Sequence, residues 1–251
     1  MSKVTFAQTL IREAGERVKV MMHEALDIDT KSNPHDFVTN VDKQTEQFLI
    51  QGINAQYHNQ DFITEEKTIA TEGLDDVWII DPIDGTTNFI FQGRNFAISV
   101  GYYEKGLPVF GIVYDVMADE MYCGVSGSGA WVNNKRLQPL DKTIALKDAI
   151  INADNRTFKT FKEDLDEHIM VQRYLGSAAL EIVGVAAGRQ QAYISRRLKP
   201  WDVAAAVIIL KEVEGTWNFG DVEDGIFFAD EHGYFMGTSN PIIKQSLLLL
   251  Q

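Results

Sequence analysis

The chain has 251 residues, 45% of them hydrophobic and 24% charged, with a formal net charge of -13 and a pI near 4.8. That length buries a substantial core as one large domain or two packed halves, and the bulk field repels nucleic acid and anionic membrane surfaces. The same field repels phosphate esters, so an enzyme of this charge acting on them needs local positive charge, and with only 23 Lys and Arg spread along the chain bound cations are the direct source.

The N-terminal segment MSKVTFAQTLIREAGERVK is charged every few residues and lacks the apolar run of a signal peptide, so export is not expected. Ala7, Leu10, Ile11, Ala14, Val18, Met21, Met22 and Ala25 recur at steps of three and four, which predicts an amphipathic helix. Lys31 to Val41 is polar and broken by Pro34, and reads as a loop over a site. Thr39-Asn40-Val41-Asp42 has the form of a capping box, and Val41, Thr45, Phe48, Leu49 and Ile53 then predict a second helix.

From Asp61 the texture changes to β-branched and aromatic runs, with turn signals at Lys105-Gly106 and near Ala118-Asp119. Residues 61 to about 137 are predicted to form one antiparallel sheet backed by the two N-terminal helices, and Leu137 to Leu146 a connector. Cys123, the single cysteine, cannot form an internal disulfide and fits a reducing cytoplasm; beside Tyr122 on a strand it reads as a small apolar residue. The five histidines are scattered without the spacing of zinc ligands.

The second half alternates strand-like and helix-like segments: AIINA, a polar helix around residues 157 to 170, GSAALEIVGVAAG, QQAYIS and DVAAAVIILKEVE. Such alternation favours an α/β layer with some parallel pairing. Its longest apolar stretch, Val203 to Leu210, is too short to span a bilayer, so a soluble protein is expected. Asn240-Pro241 reads as the start of a last helix whose Leu247 to Leu250 pack inward. The expected organisation is an N-terminal α+β half over 1–140 fused to a C-terminal α/β half over 141–251.

The most informative stretch is WIIDPIDGTTNF, residues 78 to 89, where an apolar run ends in Asp81 and Asp84. Aspartate is depleted in strands, and two carboxylates at a strand end are the ligands a hard cation takes. Gly85, Thr86 and Thr87 follow at once; a helix starting there would aim its free N–H groups at the same point, where a phosphate would sit. Asp42, Glu65 and Asp202 also lie at element edges, though each alone fits a structural role: a capping box, a solvated strand end, and a charge complementing a helix dipole.

WIIDPIDGTTNF, an upstream Glu65-Glu66 after an apolar run, the later GSAA and a Pro-Trp-Asp before an alanine-rich helix together resemble the inositol monophosphatase family of Mg²⁺-dependent, lithium-sensitive phosphatases. The likeness covers nearly the whole chain and implies a layered αβαβα sandwich. It implies that Glu65, Asp81 and the Ile83 carbonyl hold one Mg²⁺, that Asp81, Asp84 and Asp202 hold a second, and that a weaker third sits near Glu65. Asp42, Glu65 and Thr86 form the implied catalytic set, with Asp42 and the Thr86 hydroxyl orienting and deprotonating the attacking water. Gly85 and Thr86 offer amides to the phosphate. Gly176, Ser177 and Ala178, with Asp84 and Asp202, face the alcohol part of the substrate, and Lys31 stands on the entrance loop. Ser195 occupies the position at which animal members carry a glutamate that contacts inositol hydroxyls, which leaves selectivity among alcohols open.

The resemblance implies hydrolysis of a small phosphate monoester, foremost myo-inositol 1-phosphate, by a cytoplasmic homodimer that binds neither nucleic acid nor membrane. Fructose-1,6-bisphosphatase, NADP(H) 2′-phosphatase and 3′-phosphoadenosine phosphatase activities stand as alternatives within the superfamily. A non-catalytic role as a partner of a transcription complex stands as the alternative of another class.

Overall fold

Helix α1 (Lys3–Met21) starts at Ser2, whose hydroxyl accepts a hydrogen bond from the Thr5 amide, and it buries Ala7, Leu10, Ile11, Ala14 and Val18 along one face. The helix stops earlier than the apolar spacing suggests: Met22 is its C-cap and Ala25 lies beyond it. The structure, a computed structural model, describes residues 1–30, 37–69, 73, 75–161, 165–220 and 233–251. Strands β1 (Ile28–Thr30) and β2 (Phe37–Thr39) pair antiparallel. The expected loop at 31–41 is thus shorter than the polar composition implied, because Phe37, Val38 and Thr39 are good strand formers that find a partner.

Helix α2 (Asn40–Gln56) opens with the predicted capping box: the Thr39 hydroxyl accepts from the Val41 and Asp42 amides, and Asp42 Oδ2 accepts from the Thr39 amide at 2.9 Å. A seven-stranded sheet follows in strict chain order: β3 (Asp61–Thr64), β4 (Asp76–Asp84), then, after α3 (Thr86–Gln92), β5 (Ala97–Glu104), β6 (Leu107–Asp115), β7 (Glu120–Val125), β8 (Gly129–Val132) and β9 (Lys135–Arg136). From β4 onward the neighbours are antiparallel, as the meander predicts, whereas β3 and β4 run parallel. Lys105 and Gly106, both with positive φ, make the β5–β6 hairpin turn. Cys123 is buried on β7, and burial pushes its thiol up to about 11, so it packs as an apolar side chain.

The C-terminal half supplies β10 (Ile150–Ala153), α4 (Asn155–Phe158), β11 (Val171–Arg173), α5 (Ala178–Ala186), β12 (Ala192–Leu198), α6 (Pro200–Glu212), β13 (Thr216–Phe219), β14 (Gly233–Thr238) and α7 (Pro241–Leu250). Its strands form a mixed sheet ordered β11-β10-β12-β14-β13, with β10 parallel to both neighbours. The polar helix expected at 157–170 is not continuous. Helix α4 ends at Phe158 and a separate 3₁₀ turn spans Leu165–Glu167. Asp154 caps α4, and Phe161, Leu165 and Ile169 are buried in one apolar core with Phe158 packed against it.

Three apolar cores separate five layers. Trp78 and Ile80 of β4 pack with α1 and α2 on one face of the large sheet, while Val77 and Ile79 point the other way into a core shared with α5, α6 and the inner face of the second sheet. Ile151, Ile194 and Met236 pack on the far side with Ile243 and Leu247 of α7. The order is αβαβα, as the resemblance implies. In α7 only part of the leucine run faces inward: Leu247 is fully buried and Leu250 partly, but Leu248 and Leu249 are exposed, since a helix cannot turn four consecutive residues to one side. No helix among the described residues is long and apolar enough to cross a membrane.

Helix α6 is buried on every side from Val203 to Leu210. It lies on a row of glycines that are cross-strand partners, Gly101, Gly111 and Gly124 on β5, β6 and β7. A Cβ on Gly111 would stand 2.0 Å from the Ala205 carbonyl oxygen, and one on Gly124 2.7 Å from the Ile209 Cα. The row lets helix backbone touch sheet backbone, and this fixes how high the helix rides.

Candidate active site

Alternation along β4 puts Asp81 on the same face as Val77 and Ile79, toward α6. The pairing with β5 slips between Asp81 and Asp84, a local bulge that re-aims the strand end. Gly85 then takes φ 94°, with Ser177 Cβ 3.1 Å and the Asn95 carbonyl 3.2 Å from where a side chain would begin, so only glycine fits both the backbone and the space. Asp202 arrives from the first turn of α6, where its Oδ2 accepts from the Lys199 amide at 2.8 Å. One carboxylate oxygen from each of Asp81, Asp84 and Asp202 lies within 4.8 Å of the others.

Like charges this close repel by roughly 4 kcal/mol per pair at an effective dielectric near 20. Burial, then the neighbouring carboxylates of Glu65, Asp84 and Asp202, hold the Asp81 carboxyl well above its ordinary value. Glu65 stands close enough to Asp81 to contribute to that rise. Burial pushes Asp84 up to about 7, against hydrogen bonds from Ser177 and the Ala179 and Ala178 amides that favour its charged form. Such a set of oxygen donors suits a hard divalent cation and not a soft one. Ser99, the cross-strand partner of Asp81, adds a fully buried hydroxyl with no hydrogen-bond partner among the described residues. The donor set and this unsatisfied oxygen both fit a cation that carries its own waters.

Asp42 and Thr86 join this cluster from the other side. Asp42, fully shielded from solvent, accepts from the Thr86 hydroxyl at 3.2 Å, and the same hydroxyl lies 3.1 Å from the Ile83 carbonyl. It has one hydrogen, so it serves one acceptor at a time. The start of α3 has no side-chain cap, which leaves its first amides for a ligand. Glu65 follows β3, and its amide donates to the Ile80 carbonyl.

Beyond the carboxylates opens a cavity of about 490 Å³. Asp84, Gly176, Ala178, Ser195 and Asp202 all line it, five of the residues singled out from the sequence. Ser177 does not: it is 1% exposed and directs its hydroxyl to Asp84, while the Ala178 and Ala179 amides donate to the same carboxylate at 3.1 and 2.7 Å. The positive end of α5 thus holds Asp84 in place. Lys31 lies outside the described residues.

Several contributors were not read from the sequence. Tyr174, Tyr193, Arg156 and Arg197 line the cavity. Asn88 donates from Nδ2 to the Asn95 and Leu175 carbonyls, both at 2.9 Å, and so ties α3 to the loop before α5. Fully buried Glu181 accepts from the Leu175 and Gly176 amides and from Asn152. A lone acid inside the apolar run of α5 was the available signal for Glu181; Asn88 gave none apart from its place in the motif.

The model of the Inositol monophosphatase family matches residues 1–235. The Inositol-1-monophosphatase of Bacillus subtilis is 44% identical over 253 residues, covering 96% of this chain and 93% of that protein. The Fructose-1,6-bisphosphatase/inositol-1-monophosphatase of Thermotoga maritima is 32% identical over 221 residues, covering 86% and 84%. Among solved structures, SaIMPase-II with inositol monophosphate bound superposes with a TM-score of 0.83 at 35% identity, covering 98% of this chain and 92% of that one.

Proposed function

Because this chain belongs to the inositol monophosphatase family and is a phosphatase, we propose that its preferred substrate is myo-inositol 1-phosphate, hydrolysed to inositol and phosphate with Mg²⁺ as cofactor. The observation that carries this reading is the convergence of Asp81, Asp84 and Asp202 within 4.8 Å at the mouth of a polar cavity. Glu65, Asp81, the Ile83 carbonyl, Asp84 and Asp202 are the groups that would hold Mg²⁺, whose chemistry there is neutralisation of phosphoryl charge and acidification of water.

The chain's own residues do the rest. Thr86 passes its hydroxyl proton to Asp42 as its oxygen accepts one from the attacking water, so the proton leaves along the contact seen at 3.2 Å. The P–O bond to water forms as the bond to the alcohol breaks; the departing alkoxide takes up a proton from solvent, and Asp42 returns the one it holds through Thr86 as the products leave. Gly85 and Thr86 amides orient the phosphate, and Gly176 and Ser195 face the alcohol. Ser195 is shorter than a glutamate and uncharged, so it orders fewer hydroxyls.

Phosphate release measured with Mg²⁺ on inositol 1-phosphate, fructose 1,6-bisphosphate and NADP tests the substrate. The bisphosphate belongs in the panel because Arg156 and Arg197 line the cavity. Inositol 1-phosphate is expected to give the highest kcat/KM, and a higher value for NADP would reject this assignment. A homodimer is the proposed assembly. Phe91, one turn after Asn88 on α3, and Leu175, which Asn88 holds, both expose apolar surface, as does Tyr174 beside Leu175 in the chain. Light scattering should give twice the 28.2 kDa chain mass; a single chain mass would refute it.

A further inference from the structure

Four residues after Asp42, on the same side of α2, stands Glu46, and it too is fully shielded from solvent. A buried carboxylate is costly unless its oxygens are satisfied, and these are satisfied by a distant stretch of main chain. Oε2 accepts from the Glu66 amide at 2.8 Å, and Oε1 accepts from the Thr68 amide at 2.8 Å and the Thr68 hydroxyl at 2.6 Å. Those donors belong to the turn that follows β3, in which Lys67 takes a left-handed backbone with φ 52°. Lys67 and Thr68 are themselves exposed, so apolar packing does little to hold the turn.

Glu65 is caught between two anchors. Its own amide donates to the Ile80 carbonyl of β4 at 3.2 Å, and the residues after it are gripped by Glu46. From that position its carboxyl reaches Asp81. We propose that Glu46 is a positioning residue for the cation site: by holding the turn at 65–68 it places Glu65 beside Asp81, and through Glu65 it sets the affinity for Mg²⁺. This rests on the reading of Glu65 as a ligand.

Glu46→Gln preserves size and shape but turns an amide nitrogen toward main-chain donors. Calorimetric titration of the variant with Mg²⁺ should show the Kd raised about tenfold, the scale of losing a group that orients a ligand. At saturating Mg²⁺, kcat on inositol 1-phosphate should stay within about twofold, since the chemistry is untouched. Hydrogen exchange without Mg²⁺ should show lost protection at the Glu66 and Thr68 amides. Glu65→Gln alone should weaken Mg²⁺ binding, and the double variant should bind no more weakly than Glu65→Gln, because the two residues act in series.

If Glu46→Gln does not fold, Thr68→Ala replaces it; removing the exposed hydroxyl that donates to Glu46 should raise Kd in the same direction by less. Additive losses in the double variant, or a Kd unchanged by the substitution on the Glu46 side, would overturn the proposal. A Kd unchanged in Glu65→Gln would remove the ligand role of Glu65 itself, and the proposal with it.

Discussion

Asp84→Asn is expected to lower kcat/KM by about 10³ or more, because losing one cation-binding carboxylate forfeits several kcal/mol of charge stabilisation and each ~1.4 kcal/mol is a factor of ten. The same change should make the metal-free protein more stable. An amide keeps one oxygen, which still accepts from Ser177 and the Ala179 amide and gives up the longer bond from the Ala178 amide at 3.1 Å, and it removes the charge that burial and the acidic neighbours disfavour. The pH dependence follows. An acid raised from its ordinary range to about 7 in the folded state withdraws stability as pH climbs through that interval. Metal-free wild type should therefore lose melting temperature from the ordinary carboxyl range up to pH ~7, and the variant less. Adding millimolar Mg²⁺ should raise the wild-type melting temperature by mass action and leave the variant almost unmoved. Full turnover in Asp84→Asn, or a metal-free variant that melts below wild type, would contradict the assignment. Retention of a cellular role by an inactive variant would instead point to the non-catalytic alternative.

Gly111→Ala should cost roughly 3 kcal/mol, the upper end for an overpacked core, and about 10 °C of melting temperature for a chain of this size. The added carbon would meet the Ala205 carbonyl at 2.0 Å, and no flexible side chain stands there to yield. Relief requires lifting α6, whose first turn carries Asp202. Mg²⁺ affinity should therefore fall along with stability. Gly127→Ala is the control: its left-handed φ of 72° costs about 1 kcal/mol, but nothing lies within 4 Å of the new carbon, so Mg²⁺ affinity should hold. A Gly111→Ala protein with wild-type melting and cation response would show that the helix is not seated as described.

How much was readable beforehand depended on the range of the interaction. The capping box at Thr39 and Asp42, the turn at Lys105-Gly106 and the acidic pair at Asp81 and Asp84 are local, and each appears in the structure where its residues stand. Glu46 and Asp42, four apart on a helix, carry the spacing of a solvated face; both are buried where the turn after β3 brings amides to Glu46 and the start of α3 brings a hydroxyl to Asp42. Nothing in the α2 sequence announces those donors. Gly101, Gly111 and Gly124 look like three unrelated strand glycines until register aligns them beneath α6. The strand at Phe37 needed a partner at Ile28, across a stretch whose composition argued only for a loop.

The acidic centre and the cavity wall proposed to face the alcohol rest on different foundations. Asp81 and Asp84 end a strand of the large sheet, and Asp202 is fixed by the helix seated on its glycines. Ser195, Tyr193 and Arg197 belong to the second sheet, and Arg156 to the short helix beside it. Replacing residues on that second foundation can retune which leaving group is welcome while the hydrolytic engine stays intact. A scaffold divided this way lets descendants diversify their diet without reinventing their chemistry.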